Sequence, residues 1–133
     1  MSKKLLIRVF LVGIIASIVI GPFTSHVEAA SWTVNSQGDC SGDRPKGSSW
    51  LNWEGYPSSS IGKTWGSLWF YNGSAWQRRT SGYTQYGPRS EGLAIVNLNI
   101  NYQVGYWQET GAHQSNFFSG TVNTYGNVFT CPV

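Results

Sequence analysis

The strongest constraint on the fold lies between Ala94 and Tyr106, where apolar and polar side chains alternate. Apolar or aromatic residues take every second position, and amides fill most of the gaps: Ala94, Val96, Leu98, Ile100, Tyr102, Val104 and Tyr106, with Asn97, Asn99, Asn101 and Gln103 between them. A period of two is typical of a half-buried β-strand. At roughly 3.3 Å per residue such a strand would exceed roughly 40 Å, so we expect a bend near Gly105. The amide row indicates either a solvent face or a surface for hydroxyl-rich ligands.

The chain from position 30 onward favours strands throughout. Gly, Ser, Thr, Asn, Tyr and Trp are abundant there, helix formers are scarce, and no window has a helical period. Residues 36–48 and 56–62 are predicted as loops, 32–34 as an early strand, and 117–131 as a final strand region interrupted at Gly120. We therefore predict an all-β domain, a small antiparallel β-sandwich or barrel of five to seven strands with one disulfide.

The N-terminus has the layout of a secretory signal. Lys3 and Lys4 precede an apolar run, and Val27-Glu28-Ala29 provides a cleavage site. A membrane anchor is the alternative, but the uninterrupted apolar length is only about 12 residues, where spanning needs roughly 20. We expect residues 1–29 to be a cleaved signal peptide and residues 30–133 to be a single secreted, extracellular β domain, with no stable membrane anchor after cleavage.

The charge and the cysteine content of the chain agree with a secreted, extracellular protein. The whole chain has a net charge of +3, but residues 30–133 hold six basic and five acidic side chains, a balance of about +1. No basic stripe remains for nucleic acid, so no nucleic-acid partner is expected. Cys40 and Cys131 are the two cysteines of the chain, and in an exported protein they most simply form one disulfide.

One hairpin is marked directly, because Asn72-Gly73 joins two strand-like runs and is a preferred type I′ turn. With a two-residue loop, Tyr71 faces Ser74 and Trp69 faces Trp76. The alternation then places Leu68, Phe70 and Ala75 on one face and Trp69, Tyr71, Trp76 and Arg78 on the other.

Candidate catalytic groups are few. His113 is expected in an exposed loop, and no nucleophile elbow surrounds any serine. Among the carboxylates, Glu54, between Trp53 and Gly55, is the most suggestive candidate for a glycosidase carboxylate. Asp39 and Asp43 lack the spacing of a calcium loop. We predict no catalytic residue, no metal and no cofactor, with a small hydrolase as the lesser alternative.

The aromatic content indicates binding. All seven Trp and all seven Tyr residues follow position 30, more than a small core requires. Since a two-layer domain buries one face of each sheet, we predict that Trp69, Tyr71, Trp76 and Arg78 form an exposed ligand-binding surface, unless the loop from 56 to 65 covers it. Flat rings suit the C–H faces of sugars or a membrane interface. The leading hypothesis is a secreted, non-enzymatic protein that binds cell-wall polysaccharide or another envelope or extracellular glycan, and a structural or inhibitory extracellular protein is a further possibility.

A family resemblance adds a second hypothesis. The segment Tyr83-Thr84-Gln85-Tyr86, the following Gly-Pro-Arg-Ser turn, the strand Leu93 to Asn97, and Gly105-Tyr106-Trp107 resemble secreted bacteriocins of the lactococcin 972 type. The resemblance covers about 45 residues and implies a small exported β-sandwich that acts on the cell wall of competing bacteria. The chain departs from the family pattern in its paired cysteines, in the Trp-rich segment before Tyr83, and in Gly92, which stands where the family has a histidine.

Overall fold

A computed structural model describes residues 29–132, which form eight β-strands. The strands are β1 (Ser31–Ser41), β2 (Arg44–Glu54), β3 (Gly62–Tyr71), β4 (Trp76–Tyr86), β5 (Gly92–Asn99), β6 (Gly105–Ser115), β7 (Val122–Tyr125) and β8 (Phe129–Cys131). The predicted signal peptide and its removal lie outside the described residues, apart from Ala29 at the boundary.

Two antiparallel sheets pack face to face. The first has the order β1-β2-β5, and the second has the order β4-β3-β6-β7 with β8 also paired to β6. The prediction of an all-β antiparallel sandwich with one disulfide is confirmed, with eight strands rather than five to seven. Cys40 at the end of β1 is bonded to Cys131 in β8, so the disulfide joins the two sheets.

The prediction of a loop over residues 36–48 is wrong, because this segment forms the β1–β2 hairpin. The strands turn at Gly42, whose φ of 68° is in the left-handed region that suits glycine. Small residues in this segment, which by composition favour turns, serve packing between the two sheets instead. A Cβ on Gly38 would lie 2.5 Å from the Phe129 ring, so glycine there admits a side chain from the opposite sheet.

The single long strand predicted from Ala94 to Tyr106 is also wrong. β5 ends at Asn99, residues 100–104 cross to the other sheet, and β6 starts at Gly105, close to the predicted bend. Up to Ile100 the alternation holds, since Ala94 and Val96 are buried. Beyond it Tyr102 and Val104 are exposed, because they lie in the crossover rather than in a strand.

The Asn72 hairpin exists with a different register. Tyr71 pairs with Trp76 and Trp69 with Arg78, so the loop has four residues, and a bulge follows at Arg79. The Asn72 Oδ1 atom accepts hydrogen bonds from the backbone N–H groups of Ser74 and Ala75, each at 2.9 Å, and this closes the wider turn. Since the register differs from the predicted one by two residues, the faces are unchanged and the four candidate site residues still share one side.

The interior consists of two apolar clusters. One cluster is built on Leu51, Trp53 and Ala94, and the other on Leu68, Trp107 and Cys131. Between them lies a group of buried polar side chains, which is described below.

Candidate functional site

The outer face of the five-stranded sheet carries a groove of about 390 Å³ that runs across the strands. The register arranges its side chains in rows. A register row of Ser67, Thr110 and Tyr125 forms the floor, and Ser81 continues this row on β4. Trp65 stands on one side of this floor, and Trp69 and Trp76 stand on the other. We call this feature the aromatic groove.

Two of the four predicted site residues line the groove. Trp76 is 38% exposed, and Trp69 is half-buried with its indole N–H donating to the Thr110 hydroxyl at 2.8 Å. That hydrogen bond fixes the Trp69 ring at the edge of the floor, so the wall is preorganised. The alternative in which the loop from 56 to 65 covers Trp76 is not what the structure shows.

The other two predicted residues, Tyr71 and Arg78, pack against the tryptophans that line the groove and do not line it themselves. The Tyr71 ring packs on Trp76 with centroids 5.3 Å apart. The Arg78 guanidinium lies 6.0 Å from the Trp69 ring centroid, within the range of a cation–π contact. All four residues are therefore brought together, but only two of them face the groove.

Sequence reasoning missed four aromatic residues of this face: Trp65, Tyr83, Tyr106 and Tyr125. Trp65 is 37% exposed and packs on Tyr83 at 4.8 Å between centroids, and Tyr125 is 71% exposed on β7. Trp65 has the same strand parity as Trp69 and Tyr71, so extending the hairpin alternation by two steps would have found it. Tyr125 could not be found this way, because its place depends on which strand pairs with β6.

The charge of this face is positive. Among the described residues, the outward positions of the five strands hold Lys63 and Arg78 and no carboxylate. A neutral or anionic ligand can therefore approach without like-charge repulsion.

The outer face of the three-stranded sheet is different in character. Asn35, Trp50 and Ile95 form one row, and Gln37, Ser48 and Asn97 form the next. Ser48 donates to the Asn97 side chain at 2.7 Å. The predicted amide face is present as far as Asn99, and most of it is an exposed polar surface.

A polar layer lies between the two sheets. Six side chains from five strands form one hydrogen-bonded chain: Glu109, Ser49, Ser36, Thr124, His113 and Thr64. The successive distances are 2.6, 2.7, 2.5, 2.9 and 3.1 Å. Both Glu109 and His113 are fully buried. The prediction that His113 is an exposed loop residue is therefore wrong, because Trp107, Glu109, Gly111 and His113 alternate on the inward face of β6.

Glycines make room for this layer. A Cβ on Gly47 would overlap Glu109 Oε1, and one on Gly111 would lie 2.6 Å from the Ser36 hydroxyl. Neither glycine has a positive φ, so close approach rather than backbone geometry requires them.

Each hydroxyl in this chain carries one proton, so the protonation state of Glu109 sets the direction of the hydrogen bonds along it. With Glu109 ionised, Ser49 donates to Glu109 Oε2, so Ser36 donates to Ser49 and Thr124 donates to Ser36. The His113 Nε2–H then donates to Thr124, and Nδ1 accepts from Thr64. With Glu109 protonated on Oε2 and the His113 proton on Nδ1 instead of Nε2, every hydrogen bond of the chain runs in the opposite direction.

Burial disfavours the charged form of both ionisable groups of the layer. It raises the pKa of Glu109 from 4.5 to about 7, although the hydrogen bond from Ser49 opposes the shift. It lowers the pKa of His113 from 6.5 to about 4. Glu109 Oε1 has no hydrogen-bond partner, which favours the protonated carboxyl further. Since neither group reaches the surface, the layer cannot touch a substrate as it stands. Glu54, the carboxyl singled out in the sequence, is exposed at the end of β2.

Within residues 29–132 no three His, Cys, Asp or Glu side chains are grouped as metal ligands. The same part of the chain contains no helix long and apolar enough to cross a membrane.

Comparisons with known proteins identify no family. No family model matches the chain, and no curated protein matches it. Among solved structures, the crystal structure of a CARDB domain from Pyrococcus furiosus, in complex with di-metal ions, is similar at 17% identity and a TM-score of 0.38. The similarity covers 80% of this chain and 94% of the CARDB-domain chain. The X-ray structure of a structural-genomics target is similar at 10% identity and a TM-score of 0.31, with 82% and 90% covered.

Proposed function

We propose that this protein is an exported, non-enzymatic binding protein that engages a cell-envelope or extracellular glycan through the aromatic groove. The observation that carries the proposal is the arrangement of exposed Trp rings on both sides of a floor of hydroxyl side chains. A flat sheet face with such rings is a typical binding surface rather than a solvent face.

The groove offers both apolar ring faces and hydrogen-bonding groups, and a sugar has surfaces that match each of them. The rings of Trp65 and Trp76 offer apolar faces to the C–H groups of a pyranose. The hydroxyl of Ser67 on the floor and the side-chain oxygen of Gln108, whose amide N–H donates to the Gly126 backbone oxygen at 2.8 Å, offer hydrogen bonds to sugar hydroxyls. A purely apolar ligand would leave those polar groups unpaired, and this favours a glycan over a lipid acyl chain.

A pull-down experiment tests the proposal. The oxidised protein is incubated with isolated peptidoglycan, chitin and cellulose, and with anionic lipid vesicles as a separate arm. We expect retention on at least one polysaccharide and none on vesicles. Trp69→Ala and Trp76→Ala should each reduce the affinity roughly thirtyfold, because aromatic anchors of this kind contribute about 2 kcal/mol.

The matched control is Tyr102→Ala, since Tyr102 is an exposed aromatic residue in the crossover and lies outside the groove. Retention that is equal for all three variants, or retention on vesicles alone, would overturn the glycan proposal.

The bacteriocin-like alternative is tested on the same samples. Viability of Gram-positive cells is scored beside binding, and killing that disappears in Trp69→Ala would favour an antagonist that uses the same groove.

A further inference from the structure

A second cavity lies at the open edge of the sandwich, between β1 and the connection from β7 to β8. Its volume is about 560 Å³, larger than that of the aromatic groove. Amide and hydroxyl side chains dominate its lining: Asn35, Gln37, Ser48 and Asn127, with Asp39 and Lys46 as its charged residues. We call it the amide cleft.

Tyr125 belongs to both cavities, and its side chain is 71% exposed. The floor of the aromatic groove runs across β3 and β6 and reaches Tyr125 on the edge strand β7. Gly126 and Asn127 follow immediately and line the amide cleft. A Cβ on Gly126 would lie 3.0 Å from the backbone oxygen of Ser36, so the chain passes close to β1 at this point.

We propose that the aromatic groove and the amide cleft form one continuous binding path for a linear, unbranched polysaccharide, which crosses the sheet and then descends over its edge at Tyr125. This inference rests on the proposed function and specifies its substrate class. The groove stacks sugar rings, and the cleft contributes amides, which can both donate to and accept from hydroxyl and acetamido groups.

The dimensions require a polymer. Four adjacent strands span about 15 Å, and the side of a two-sheet sandwich adds about 10 Å. A ligand in contact with the whole path is therefore on the order of 25 Å long, which exceeds a disaccharide. Charge agrees with a neutral or weakly charged ligand, because Asp39 and Lys46 are register partners and offset one another.

The test uses chito-oligosaccharides and soluble peptidoglycan strands, from disaccharide to octasaccharide, titrated calorimetrically into the oxidised protein. For the native protein we expect the affinity to rise along the series. The double variant Gln37→Ala, Asn127→Ala should lower octasaccharide affinity about tenfold and leave disaccharide affinity unchanged. Tyr125→Ala should also weaken the octasaccharide more than the disaccharide.

The matched control is Gln77→Ala, Asn101→Ala, which removes one exposed Gln and one exposed Asn outside both cavities. An octasaccharide that binds no more tightly than a disaccharide, with Trp69→Ala still harmful, would overturn the continuous path and leave the groove proposal standing. If no carbohydrate of the series or of the pull-down panel binds, both proposals fail together.

Discussion

The two faces of β6 reverse the usual distribution of side chains. Its outward face borders exposed aromatic rings, whereas its inward face buries Glu109 and His113. Thr110 touches both regions, because its hydroxyl accepts from Trp69 and its carbonyl oxygen lies 3.2 Å from the Ser49 hydroxyl. We therefore assign the ligand contacts of the proposed function to the outward face and a role in fold stability to the inward face. Each of the following predictions tests that division.

The largest effect is expected from removing the polar layer. His113→Leu leaves Thr64 and Thr124 without their partner, and we expect a loss of about 3 kcal/mol in the free energy of unfolding. The outward control Gln114→Leu removes only an exposed hydrogen bond to Thr121 and should change it by less than about 1 kcal/mol. Urea denaturation measures both, and a His113→Leu protein of native stability would show that the layer contributes nothing to the fold.

The pH dependence of stability sharpens the same comparison. Because the folded pKa of Glu109 is raised to about 7, its contribution is full below pH 4.5 and is lost as the pH rises to 7. Because the folded pKa of His113 is lowered to about 4, its contribution is full above pH 6.5 and is lost as the pH falls to 4. Between pH 4.5 and 6.5 the two slopes, each about 1.4 kcal/mol per pH unit, cancel.

Replacing one of the two groups should therefore leave the pH dependence of the unfolding free energy that the other group causes. In Glu109→Gln the unfolding free energy should rise with pH by about 3 kcal/mol between pH 4 and 6.5, and in His113→Gln it should fall with pH by about as much between pH 4.5 and 7. Denaturation across this range, with the native protein as reference, provides the test. Parallel profiles for all three proteins would contradict the assigned protonation states.

A smaller effect separates the two regions at Thr110. Thr110→Val keeps the shape but removes the acceptor for the Trp69 indole, so glycan affinity should fall about fivefold, or about 1 kcal/mol. Because the contact with Ser49 uses the Thr110 backbone, the pH profile of stability should stay native. A changed pH profile in this variant would mean that the two faces of β6 are coupled.

The smallest effect is expected at Arg78, which packs on Trp69 outside the groove. Arg78→Gln should weaken glycan binding about threefold through loss of the cation–π contact. Calorimetric titration at two salt concentrations checks this, and an effect as large as that of Trp69→Ala would place the guanidinium in direct contact with the ligand.

Several features could be predicted from local sequence. The alternation around the Asn72 hairpin placed Trp69, Tyr71, Trp76 and Arg78 on one face, and this survived a register error because a shift by two residues preserves parity. The disulfide followed from cysteine count. The prediction of a loop over residues 36–48 was wrong because Gly, Ser and Asp favour turns locally, whereas here Gly38 and Gly47 leave room for side chains of the opposite sheet.

By itself, therefore, the sequence determined the all-β class, the Cys40–Cys131 bond and the shared face of the hairpin aromatics, since each depends on strand parity, composition or the pairing of two residues. The tertiary structure decided the rest. Glu109 and His113 resemble solvent-facing residues in the sequence, and only the packing of β1, β2, β3 and β7 against β6 encloses them. Tyr125 joins the groove because β7 pairs with β6, and that pairing is a long-range choice that local side-chain patterns do not encode.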